Sequence, residues 1–169
     1  VLSSALCNGA ACTRMTRILL DALANPQVTE ISGSTLLGCL QMSSEDSNPG
    51  AASILMERRV DVNHQPVARS KFQVICPACR VYVRCGGTAG IYRHFARLEG
   101  ATALHWAANR GDVVVMEILL AGSADPGLRN QQGYDVPEFG AYDLGEVPGP
   151  MAAALRTATE GAQQSVTGP

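Results

Sequence analysis

Apolar positions along the chain fall into short runs at helical spacing, and the runs come in pairs separated by glycine or by polar residues. Between Gly100 and Asn130, Leu104, Ala107 and Ala108 mark one helical face and Val114, Val115, Ile118 and Leu119 a second. Gly111 lies between them and supplies a turn too tight for most residues, which predicts an antiparallel helix pair. Thr102 stands where its hydroxyl can accept an orphan backbone N–H, and Gly122 follows Leu119-Leu120-Ala121 as a helix-ending residue. Upstream, Met15, Ile18, Leu19 and Leu23 keep helical spacing, and Ala24-Asn25-Pro26 echoes Ala124-Asp125-Pro126.

Gly33, Thr35 and Leu37 repeat the offsets of Gly100, Thr102 and Leu104, followed by Ile54-Leu55-Met56 and Asp61-Val62-Asn63. The polar stretch from Ser43 to Gly50 reads as a lengthened turn between the two helices of this unit. Val1 to Gly9 lies loosely over Ala103 to Gly111, so the chain begins part-way through a unit and reads as a fragment. From Gly100 to Gly133 is thirty-three residues, whereas from Gly33 to Gly100 is sixty-seven, two units plus one residue. The intervening stretch has a repeat's length without its motif. Phe72, Ile75, Cys79 and Tyr82 form one stripe and Gln73, Pro77, Arg80 and Arg84 another. Pro77 places the helix start near Cys76, after an extended Phe72 to Ile75. Gly86-Gly87 ends that helix, and Ile91, Phe95 and Leu98 mark a second, expected to face the adjacent repeats. The stretch is therefore expected to be a degenerate or inserted helical hairpin, with a place as one repeat of the stack preferred. Beyond Gly133 and Tyr134 the pattern fades at Asp135-Val136-Pro137, and past Pro150 only Met151 to Leu155 could be helical.

In the best-defined unit, Gly100, Thr102, Leu104, His105, Ala107, Ala108 and Gly111 resemble the opening pattern of an ankyrin repeat, and Leu119, Leu120, Ala124 and Asp125 its ending. Ala103 replaces the family's usual Pro and Ser123 its usual Gly; in the preceding unit Leu36 and Gly38 replace Pro and His. The resemblance implies an all-α ankyrin-repeat solenoid, a right-handed stack of helix pairs with short β-hairpin-like loops. Repeats are expected at 1–28 (partial), 29–65 and 99–131, with the basic hairpin at 66–98, a partial cap at 132–145 and a disordered tail at 146–169. It further implies that His105 ties adjacent loops by hydrogen bonds and that Trp106 is packed between repeats.

The composition is that of an ordinary globular protein with few aromatics, and the formal charge of −2 is unremarkable. Its distribution is uneven. Arg69, Lys71, Arg80, Arg84, Arg93 and Arg97 crowd one stretch that contains none of the chain's fifteen acidic residues. Six cysteines without a secretory signal point to free thiols in a reducing, intracellular setting such as the cytoplasm, and no apolar run reaches the roughly 18 residues of a membrane span.

No Ser/His/Asp order, carboxylate pair or phosphate-cradling glycine loop appears, so the chain is read as a non-enzyme needing no cofactor. Function follows from the resemblance, which implies a scaffold that binds another protein through loop tips and the first helices. Carried over by position, the contacts are Glu30, Ile31, Ser32 and Ser34 on one tip, Asn109 and Arg110 on a helix, and Gln131, Gln132 and Tyr134 on the next tip. Arg80, Arg84, Arg93 and Arg97 add a basic surface for an acidic protein partner, with an anionic membrane or nucleic acid as the alternative. Cys76 and Cys79, three apart, with Cys85 and His94, leave three readings open: buried core thiols, a structural zinc, or a redox pair at a helix N-terminus. The core reading is favoured because no second ligand pair stands at family-like spacing. Asn63, with Leu55 eight residues before it and Asp61-Val62 preceding it, also resembles the ankyrin context modified by an asparaginyl hydroxylase.

Overall fold

A computed structural model describes residues 12–43 and 48–144. The opening alignment of Val1 to Gly9, most of the lengthened turn and the tail beyond 144 lie outside the described residues. Eight helices follow in order: α1 (Cys12–Asp21), α2 (Leu36–Ser43), α3 (Pro49–Glu57), α4 (Phe72–Arg84), α5 (Gly90–Arg97), α6 (Ala103–Arg110), α7 (Val113–Ala121) and α8 (Val136–Leu144). No strand forms among the described residues, and a single antiparallel bridge joins Thr29 to Thr35 at a loop tip. The architecture is all-α, as expected.

Two rows of helices build the core. In one row α2 packs on α6 and α6 on α8; in the other α1 packs on α3 and α3 on α7. Leu36, Leu37, Leu40, Ala51, Ala52 and Leu55 meet Leu104, Ala107, Ala108, Val115, Met116 and Leu119 in one buried cluster. Each large apolar side chain buried there contributes about 1.5–3 kcal/mol, and no helix pair could bury its face without its neighbour. In α1 the buried residues are Thr16 and Leu20. The expected stripe fails, because Met15, Ile18 and Leu23 are exposed; Leu23 lies past the helix end at φ 62.

Local chemistry fixes the α6–α7 pair. Thr102 and His105 form a reciprocal cap on α6, Gly111 ends it in the left-handed region at φ 68, and Asp112 caps α7 by accepting from the Val115 N–H at 3.1 Å. Across to the preceding unit, the Asn63 side chain donates to the Ser123 carbonyl at 3.1 Å and accepts from the Asp125 N–H at 2.8 Å.

The hairpin takes the inserted form and not the preferred place as a repeat. Because α2 lies directly on α6 and α3 on α7, α4 and α5 are not a layer of the stack. They stand on its side, inserted in a loop tip. In the regular tips Gly33 donates to the Glu30 carbonyl at 2.8 Å and Gly133 to the Asn130 carbonyl at 2.9 Å, with two residues between. Gly100 makes the same bond to Pro66 at 2.8 Å with residues 67–99 between, and all three glycines have positive φ.

The helix α4 begins at Phe72, not near Cys76, and carries Pro77 inside. An interior proline costs about 3 kcal/mol. Burial of Cys76 and the packing of Phe72 against a second cluster of Ala68, Leu98, Ala101, Trp106 and Phe139 offset that cost. The first turn closes with short-range bonds from Phe72, Gln73 and Val74 to residues three earlier. On α5, Phe95 and Leu98 face the array as expected, but Ile91 is 57% exposed.

Candidate functional site

The inserted hairpin leans over α6 and α8, and between it and the 130–134 tip lies a cavity of about 390 Å³. Arg80, Val83 and Arg84 enter from α4, Arg93, Ala96 and Arg97 from α5, and Gln131, Gln132 and Tyr134 from the tip. The helical spacings 80/84 and 93/97 put each arginine pair on one helix face. Two groups named on separate grounds, the hairpin arginines and the tip residues, thus share one wall.

The arginines differ in how firmly they are held. Arg97 is 4% exposed; its guanidinium carbon lies 4.6 Å over the Phe139 ring and its Nη1 donates to the Phe139 carbonyl at 3.5 Å. Arg80 pairs with Glu99 and donates to Gln131 Oε1 at 2.5 Å. Arg93 is half-buried with its Nε buried and without a hydrogen-bond partner, and Arg84 is exposed. The Gln132 Oε1 is likewise buried without a partner, while its backbone N–H is held by Asn130 Oδ1 at 3.0 Å.

Glu99 escaped the sequence reading. It lies two residues past the acid-free stretch and one before the turn glycine, where sequence position alone does not signal a partner for Arg80.

His105 sits beneath this tip. The Thr102 N–H donates to Nδ1 at 3.1 Å, so Nε2 carries the proton and donates to the Tyr134 carbonyl at 3.2 Å. Burial pushes the imidazole pKa down to about 4. It ties loops, as the resemblance implied. Trp106 is buried between α6 and the next unit, as expected, with Phe139 of α8 at 5.1 Å, and His94 of the inserted hairpin adds cover at 4.5 Å.

Other named residues lie elsewhere. On the 30–34 tip Ile31 is 62% exposed and Glu30 half-buried, but Ser32 and Ser34 are buried. Contact with a partner through these two serines is therefore corrected; on Gly33 between them, His64 Nε2 meets the carbonyl at 2.9 Å and Val67 lies close by. Asn109 and Arg110 are half-buried at the end of α6, and Arg110 donates to the Gln41 carbonyl at 3.3 Å. Asn63 uses both ends of its side-chain amide to hold the next loop.

Cys76 and Cys79 are buried in α4 and Cys85 is exposed beyond it. Among the described residues no three of His, Cys, Asp and Glu converge as a metal site. His94 turns instead to Trp106. Burial, aided by Glu99, pushes the Cys76 thiol up to about 11, and burial also raises Cys79, so both are held as thiols. Cys76 also sits inside α4, away from the N-terminus that a stabilised thiolate would need.

With this geometry in hand, residues 99–131 match the ankyrin repeat family. Those residues form an ankyrin repeat. The matched unit is the α6–α7 pair with its flanking loops, and ankyrin repeats serve in protein–protein binding. No curated protein matches the chain. No helix among the described residues is long and apolar enough to cross a membrane.

Proposed function

We propose that this ankyrin-repeat chain is a non-catalytic protein-recognition module whose partner, a protein with an acidic surface, docks where the inserted hairpin meets the 130–134 tip. The observation that carries the reading is the shared cavity: four arginines from α4 and α5 line it together with Gln131, Gln132 and Tyr134. Arginine and tyrosine dominate interface energetics, and a pre-formed cavity spares the partner part of the ordering cost. The positive charge gives the encounter range and salt sensitivity. Ile31 and Glu30, on the neighbouring tip, extend the surface for a partner long enough to reach them.

The buried imidazole of His105, beneath this surface, is committed at both nitrogens to structural hydrogen bonds. That supports binding over catalysis.

Cross-linking of the chain to its cellular partner, followed by mass spectrometry and quantitative binding, tests the reading. Replacement of Arg84 and Arg93 by Gln should weaken binding and raised salt should imitate the loss, with helicity unchanged. Binding that survives both treatments while depending on Ile31 would move recognition to the other tip and overturn the proposal.

A further inference from the structure

We infer that the arginine-lined cavity receives a phosphate monoester carried on a partner protein's side chain. The inference rests on the protein-recognition reading and narrows it by naming what the partner inserts.

Charge is the first argument. Four guanidiniums line the cavity and no carboxylate is among its lining residues; Glu99, paired to Arg80, offsets only one of the four. A partner Asp or Glu brings a single negative charge and two oxygens, too little for such a wall, whereas a phosphate monoester brings about two charges and three acceptor oxygens. Every cation in the wall is arginine, whose planar fork matches phosphate in bidentate fashion where a lysine would offer a point charge.

Preparation is the second argument. Arg97 is fixed by burial over Phe139, and Arg80 by Glu99 and Gln131, so half of the cationic wall is already ordered. At the cavity, Arg93 Nε and Gln132 Oε1 are buried without a hydrogen-bond partner. A buried polar atom without a partner is destabilising. An arriving phosphate oxygen accepts from Arg93, and rotation of the Gln132 amide presents its NH₂ group as a further donor.

Shape is the third. The arginines converge on one cavity of about 390 Å³ instead of tracking a strand, and Val83 and Ala96 offer apolar wall for a side-chain stem. Single-stranded nucleic acid would want aromatic faces open for base stacking. The hairpin's tyrosines, Tyr82 and Tyr92, instead pack on each other at 4.7 Å.

The test uses the full chain, with phenyl phosphate, benzoate and inorganic phosphate followed by calorimetry and by Trp106 emission. Peptides that are identical except for phosphorylated, unmodified or Glu-substituted centres form a second arm, and a single-stranded oligonucleotide a third. Expected is saturable one-to-one binding of phenyl phosphate, competed by inorganic phosphate, at least tenfold tighter than benzoate. The Arg84→Gln/Arg93→Gln variant should lose at least tenfold, Arg93→Lys should lose part of that, and Arg17→Gln, exposed on α1 and outside the cavity, nothing; circular dichroism confirms that each is folded. Equal affinity for benzoate and phenyl phosphate overturns the inference, as does unchanged binding by the double variant or an oligonucleotide that outcompetes every phosphopeptide. A partner protein that still needs Arg93 after phosphatase treatment would sink the phosphate inference alone and leave protein recognition standing.

Discussion

The backbone N–H of Gly100 donates to the carbonyl oxygen of Pro66 at 2.8 Å, closing a turn whose two middle residues have been replaced by thirty-three. The hairpin therefore leaves and rejoins the array at one point, and the stack on either side is continuous through α2 on α6 and α3 on α7.

Removing residues 67–99 and joining Pro66 to Gly100 through two residues, as Gln131-Gln132 join the next tip, should leave a folded stack. Stability should fall, because Trp106 and Phe139 lose Cys76 and Leu98 as cover. Circular dichroism should lose only the signal of α4 and α5, and Trp106 emission should shift to the red. A chain that fails to fold at all would show that the hairpin is a structural layer after all.

Gly33 and Gly133 share the same left-handed backbone, φ 87 and φ 88, yet differ in surroundings. A Cβ on Gly33 would meet the Val67 carbonyl oxygen at 2.2 Å, whereas one on Gly133 meets nothing within 4 Å. Gly133→Ala should cost the backbone penalty of about 1–2 kcal/mol. Gly33→Ala should cost clearly more in urea unfolding and loosen the neck of the hairpin; equal losses would mean that the neck does not press on this tip.

The unit around Leu104 and Leu119 was legible because its punctuation is local: Thr102, Gly111 and Gly122 each mark an end that backbone chemistry demands. The place of the hairpin was not. A turn longer by three residues between α2 and α3, together with a tip longer by thirty-one, lengthens the interval from Gly33 to Gly100 by one repeat plus one residue. Spacing alone cannot separate an inserted tip from a degenerate layer; packing of α3 on α7 does. Pro77 misled for a related reason, since propensity sees the lost backbone bond and not the cluster that Phe72 and Cys76 join. At the site, helical spacing placed Arg80 with Arg84 and Arg93 with Arg97, but their meeting with Tyr134 is a tertiary fact. The burial of Ser32 and Ser34 is likewise a tertiary fact.

Thiol accessibility should follow burial. Cys85 is exposed, while Cys76 and Cys79 are buried with raised thiol pKa values. A brief pulse of maleimide at neutral pH should label Cys85 in the native chain, with Cys76 and Cys79 labelled only on unfolding, as read by peptide mass spectrometry. Rapid native labelling of Cys76 would contradict the packing of α4 on the array.

Removing the Asn63 side chain should weaken the join between the two central repeats. Asn63→Ala leaves the Asp125 N–H and the Ser123 carbonyl without their partner. The expected loss is about 1–2 kcal/mol, softened because both groups can turn to water. An asparaginyl hydroxylase would meet this side chain freely only when the loops part, so oxygen incorporation by intact mass should be faster in Gly33→Ala than in the parent if that variant opens the loop; equal rates would show that loop opening does not govern access.

Acid should weaken the fold through His105. Its imidazole accepts from the Thr102 N–H at Nδ1, a role that protonation abolishes, and burial holds its pKa down at about 4. The folded value lies below the ordinary 6.5, so the unfolded chain binds the proton more readily. The stability associated with the neutral ring is therefore fully present above pH 6.5 and is lost as pH falls towards 4. A shift of this size corresponds to roughly 3 kcal/mol, a large share of the stability of so short an array. Carboxylates titrate over part of the same range, so the contribution of His105 is the difference between the parent and His105→Gln in urea unfolding at successive pH values. The parent should lose more stability than the variant between pH 6.5 and 4; parallel curves would show that the loop tie does not depend on the neutral imidazole.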